Sequence, residues 1–180
     1  MDSKAIIGIS VVLNFVAFAK VAQLYIWPRL QGMRREEALN ALAAPHMFRF
    51  VGLSFLVPGV VSPAISPAFA IPAAYGDLAA ALLAIVATMA LSARVPWAAA
   101  AVWLLNIEGT LDLLVAFYQG LIGVGLPPGV LGAAFYIPTV IVPPLLVTHF
   151  LMFRLLLRAD GIRADGIGET SSLGSSAIRS

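Results

Sequence analysis

Apolar residues fill five stretches of this chain, and polar residues gather between them. The stretches are 5–27, 46–61, 77–92, 97–119 and 130–156. A helix rises about 1.5 Å per residue, so about 20 apolar residues cross the hydrocarbon core of a bilayer. The pattern predicts an all-α fold: a polytopic membrane helix bundle over residues 1–158, with about five transmembrane helices. Residues 159–180 carry Gly, Ser and scattered charges and are expected to form a disordered cytoplasmic tail.

The breaks give the detail. The first stretch has no clean cleavage pattern and reads as a spanning helix rather than a removed signal peptide. Trp27-Pro28-Arg29 is its natural end. Arg34-Arg35-Glu36-Glu37 opens a short interfacial helix closed by Pro45. Pro58 and Gly59 fall near the far end of span two. Pro63, Pro67 and Pro72 make 62–76 too irregular for a span, so it is expected to cap the outer surface or re-enter partway. Asp77 then caps the first turn of an alanine-rich packing helix. Pro138, Pro143 and Pro144 predict a kinked span five with opened backbone carbonyls.

Composition strengthens the membrane reading. The chain is 61% hydrophobic and 11% charged, with mean hydropathy +0.96; soluble proteins are about one quarter charged. There is no cysteine, which excludes disulfides, thiolate catalysis and cysteine metal sites. A formal charge of +2 gives no reason to expect a nucleic-acid partner. With the N-terminus outside and the C-terminus cytoplasmic, Arg29, Arg34, Arg35, Arg49, Arg94, Arg154, Arg158, Arg163 and Arg179 fall inside and only Lys4 outside. That matches the positive-inside rule and an integral protein of a bacterial plasma membrane.

Candidate chemistry centres on Glu108 and Asp112, one turn apart in span four. A carboxylate facing lipid is very costly, so both are expected to face the interior. On a helical wheel they sit in one stripe with Trp97, Ala101 and Gln119, while Asn106 points the other way. Lys20, Arg49 and His149 are the candidate partners, although Lys20 is also placed to snorkel and Arg49 to meet lipid phosphate. Glu108, Asp112 and His149 are the catalytic candidates. Lys20, Gln23, Arg49, Asn106, Tyr136 and Thr148 are candidates for a ligand or ion path.

Three functions follow. The first is an oligomeric channel or transporter for protons, cations or small solutes, a homo-oligomer because the chain is so small. The second is an embedded enzyme or binding protein for an isoprenoid, sterol-like or quinone ligand. The third is a structural protein held by a buried salt-bridge network. The membrane-depth carboxylates Glu108 and Asp112 resemble the arrangement in the emopamil-binding isomerase and sigma-2 group, but no full motif matches, so no residue roles follow. Two lone histidines, His46 and His149, are a weak haem signal, and a retinal Schiff base at Lys20 has no supporting pattern. No metal is assigned, and the cofactor stays unknown.

Overall fold

The computed structural model describes residues 2–158; the tail expected over 159–180 lies outside the described residues. Four helices are long and apolar enough to cross a membrane: α1 (Ser3–Gln31), α3 (Pro67–Ser92), α4 (Ala98–Gly123) and α5 (Ile137–Leu156). A short helix, α2 (Arg35–Ala43), lies between α1 and α3. The protein is an all-α bundle whose apolar helices are consistent with membrane embedding.

Two expected boundaries are corrected. The stretch 46–61 is not a long α-helix: Ala44–Leu56 is a 3-10 helix of 13 residues, and the chain then turns. A 3-10 helix rises about 2.0 Å per residue, so this segment still extends about 25 Å. The region 62–76 is neither only a cap nor a re-entrant loop, because the chain is helical from Pro67. Pro67 occupies the first turn, where a missing N–H is tolerated, and Pro72 is carried inside the helix. Asp77 is therefore in the body of α3 and does not cap its first turn.

Span five also divides. A 3-10 segment, Pro128–Phe135, precedes α5. Within it Gly132 has φ 52°, and a Cβ there would strike the Val60 carbonyl. That close approach lets Ala133 N–H bond Val60 O at 2.9 Å and Ser62 N–H bond Val130 O at 2.9 Å.

The prolines of α5 have a specific partner. In a regular helix the N–H groups at 143 and 144 would bond the carbonyls of Thr139 and Val140. Proline supplies neither. The Asn14 Nδ2 donates to both carbonyls instead, at 3.0 and 2.8 Å. One amide from α1 thus satisfies the two acceptors that the Pro-Pro pair strands, and the segment Ile137–Ile141 takes a π-helical turn.

These contacts also fix directions. Asn14 meets the start of α5, and Trp27 meets Arg154 near its end, so α1 and α5 run parallel. Arg35, before the 3-10 helix, donates to Leu155 O at 3.1 Å and Leu156 O at 2.8 Å. Val60, after it, meets the turn that opens α5. The 3-10 helix therefore runs antiparallel to α5, from one end of the bundle to the other.

The buried apolar residues form two clusters. One includes Leu39, Leu42, Val102, Leu105, Met152 and Leu155. The other includes Phe55, Phe69, Leu113, Leu131, Ile137 and Leu145. The buried polar residues His46, Arg49, Asp77, Asn106 and His149 lie between these clusters along their elements.

Candidate functional site

Arg49 is the centre of this polar layer. It is only 1% exposed. Its Nε donates to Asp77 Oδ1 at 2.8 Å, its Nη1 to Gly109 O at 3.1 Å, and its Nη2 to Asp112 Oδ2. The planar guanidinium thus joins the 3-10 helix to α3 and α4, with donors aimed in three fixed directions. Arg49 does not sit at lipid phosphate, the place expected from its sequence position. It is buried inside the bundle, at the level of both carboxylates that it pairs with.

Three glycines make room for the charged groups. A Cβ at Gly52 would strike the Asp77 side chain, and one at Gly76 would strike the Asp112 carboxylate. At Gly109 a Cβ would lie 2.7 Å from Arg49 Nη1 and 2.8 Å from His149 Nε2. Any larger residue at these positions displaces the ion-pair network.

Beside Arg49 lies a second set of buried groups. His149 Nδ1 meets Asn106 Oδ1 at 2.7 Å. His46 Nε2 meets Thr148 Oγ1 at 3.0 Å. The Thr148 hydroxyl donates to Leu145 O at 2.8 Å, so it accepts from His46 Nε2–H. The two imidazoles are 4.1 Å apart, centroid to centroid. Four buried atoms have no hydrogen-bond partner among the described residues: His46 Nδ1, Asn106 Nδ2, Glu108 Oε2 and His149 Nε2.

The other face of the ion-pair network opens on a cavity of about 340 Å³. Its walls are apolar and include Ile7 and Val11 of α1, Phe69 and Ala73 of α3, and Leu113 and Ala116 of α4. Asp77, Asp112 and Lys4 are the charged residues of its lining. Along α4 the wall runs from Asp112 to Leu121, about 13 Å. The Asp112 side chain keeps 14% of its surface exposed, whereas Arg49 behind it is sealed. The exposed part of the Asp112 carboxylate is an acceptor for a hydrogen-bond donor in the cavity, with Lys4 the cation of the same lining.

The other sequence candidates occupy varied places. Glu108 is half-buried and is not part of the cavity wall. Lys20 and Gln23 are exposed on α1, away from the polar layer. Tyr136 is exposed and stacks edge-on against Phe135. The buried stripe of α4 is Ala98, Val102, Leu105, Asn106, Gly109 and Leu113, so Glu108 and Asp112 flank the stripe that the wheel had them centre. Asp77 is the residue that sequence reading missed as a site. Pro63, Pro67 and Pro72 masked it, because they signal a break where the helix in fact starts at Pro67 and runs through Pro72.

Among the described residues there is no group of three or more histidine or acidic side chains able to hold a metal ion. No curated protein and no solved structure matches the chain. Residues 6–157 match the family described as Domain of unknown function (DUF8737). That match covers most of the sequence and every residue of the polar layer, and the chain belongs to this family.

Proposed function

We propose that the protein is a membrane-embedded binding protein for an elongated lipophilic molecule of the isoprenoid, sterol-like or quinol kind. The carrying observation is the cavity: apolar walls, a charged floor at Asp77 and Asp112, and a guanidinium locked behind them. Its volume falls in the range of small-molecule sites, which are mostly apolar with a few placed polar groups. A ligand hydroxyl or amine donates to Asp112, and the hydrocarbon lies along Leu113, Ala116 and Phe69. The same reading places the chain across the membrane five times, with the 3-10 helix as the second crossing, the N-terminus outside and the C-terminus cytoplasmic. The parallel run of α1 and α5 supports that odd number of crossings.

The test is the molecule retained on purification in mild detergent, read by native mass spectrometry and solvent extraction. Wild type is expected to carry one elongated apolar molecule that is not a phospholipid. Ala116→Trp, which fills the cavity, is expected to lose it while keeping its melting temperature within a few degrees. Equal retention by wild type and Ala116→Trp contradicts the proposal, as does the absence of any bound molecule from wild type.

A second reading, passage of protons or cations through an oligomer, is favoured by the unpaired polar atoms of His149, Asn106 and His46 beyond Arg49. Flux in sealed liposomes that Glu108→Gln abolishes would favour it over the binding reading.

A further inference from the structure

A second groove lies on the outer face of the bundle, between α1 and α5, with a volume of about 460 Å³. Phe15, Ala19 and Gln23 form one side; Val147 and Phe150 form the other. It ends at Trp27 and Arg154. There the Arg154 guanidinium stacks 4.2 Å from the Trp27 ring, and that of Arg158 lies 5.1 Å from the same ring. Both arginines are exposed. Neither has a carboxylate partner among the described residues, in contrast to Arg34, which pairs with Glu37, and Arg49. A largely apolar groove therefore leads to two guanidinium groups held together by one indole and without a carboxylate partner among the described residues.

We propose that this groove binds an anionic phospholipid, with its phosphate on Arg154 and Arg158 and one acyl chain along Ala19 and Phe150. The charge pattern selects the occupant. Two cations with no carboxylate partner among the described residues, at the end of a hydrocarbon groove, match a lipid whose headgroup keeps its negative charge, whereas a zwitterionic headgroup brings its own cation to the same place. Basic pockets between helices at the membrane surface bind such headgroups. The Trp27 ring keeps the two cations together without neutralising them. The site is separate from the cavity at Asp112 and does not depend on its reading.

The test titrates the detergent-solubilised full chain with phosphatidylglycerol or phosphatidylcholine of matched chains and follows single-lipid adducts by native mass spectrometry. Wild type is expected to retain one phosphatidylglycerol in preference to phosphatidylcholine. Arg154→Ala/Arg158→Ala is expected to weaken the phosphatidylglycerol adduct about 30-fold, from about fivefold per cation. Arg154→Lys/Arg158→Lys is expected to restore most of it. Ala19→Phe, which narrows the groove and leaves the arginines in place, is expected to weaken it as well. Equal retention of the two lipids overturns the proposal. So does an unchanged phosphatidylglycerol adduct in the double alanine variant, or one displaced equally well by soluble glycerol phosphate.

Discussion

Arg49 shows how one side chain sets the chemistry of a bundle. A buried guanidinium is tolerated only where its charge and its donors are met, and here Asp77, Asp112 and the Gly109 carbonyl meet them. Removing it leaves two largely buried carboxylates without the guanidinium that pairs with both. Arg49→Met is therefore expected to destabilise the protein by about 3–5 kcal/mol, measured as the shift in its denaturation midpoint in mixed micelles. Arg49→Lys keeps the charge and loses the fork, so its midpoint should fall between those of wild type and Arg49→Met. Gly109→Ala tests the space rather than the charge. Its methyl would press on Arg49 and the His149 ring, both already fixed by hydrogen bonds, and a loss of about 1–3 kcal/mol is expected. A neutral outcome for Gly109→Ala would mean that the layer can shift as a unit.

Among the elements, α5 and the 3-10 helix depart most from regular geometry, and each departure has a cause. The Pro143-Pro144 pair strands two carbonyls, and Asn14 supplies both missing donors. Asn14→Leu removes them together and is expected to cost about 1–3 kcal/mol, with faster amide exchange in the first turns of α5 and not in α3. Uniform exchange through both helices would place the effect elsewhere. The long apolar elements were legible in the sequence because hydropathy reports them directly. The opened carbonyls of span five followed from its prolines, but the donor that fills them lies 125 residues away, beyond any local pattern. The start of α3 was not legible, because three prolines in 62–76 signal a break and say nothing about which of them falls in a first turn. Asp77 was hidden by that boundary. The 3-10 geometry of Ala44–Leu56 was hidden too, since the apolar run 46–61 predicts a spanning element and says nothing of its rise per residue.

At the scale of the whole molecule, polarity is layered: an apolar cluster, a thin polar layer, then a second apolar cluster enclosing the cavity. The carboxylates Glu108 and Asp112 were visible as anomalies in an apolar run, and Arg49 was one of three candidate partners, but its pairing with Asp112 and Asp77 was not legible. Choosing Arg49 over Lys20 or His149 required knowing the 3-10 geometry of Ala44–Leu56 and the room that Gly52, Gly76 and Gly109 leave for Asp77, Asp112 and Arg49. The proposed five crossings can be checked because the chain has no native cysteine. Single cysteines at Lys4 and Arg158 are expected to react with a membrane-impermeant maleimide from opposite faces of sealed vesicles. Labelling from the same face would remove one crossing from the account.

The most direct measurement is a high-resolution structure of the wild-type protein purified from its membrane and held in a lipid nanodisc. The account predicts continuous elongated density between α1, α3 and α4, ending within hydrogen-bond distance of Asp112 while Arg49 keeps both carboxylates. A cavity closed by its own side chains, or density with no polar end at Asp77 or Asp112, would contradict it.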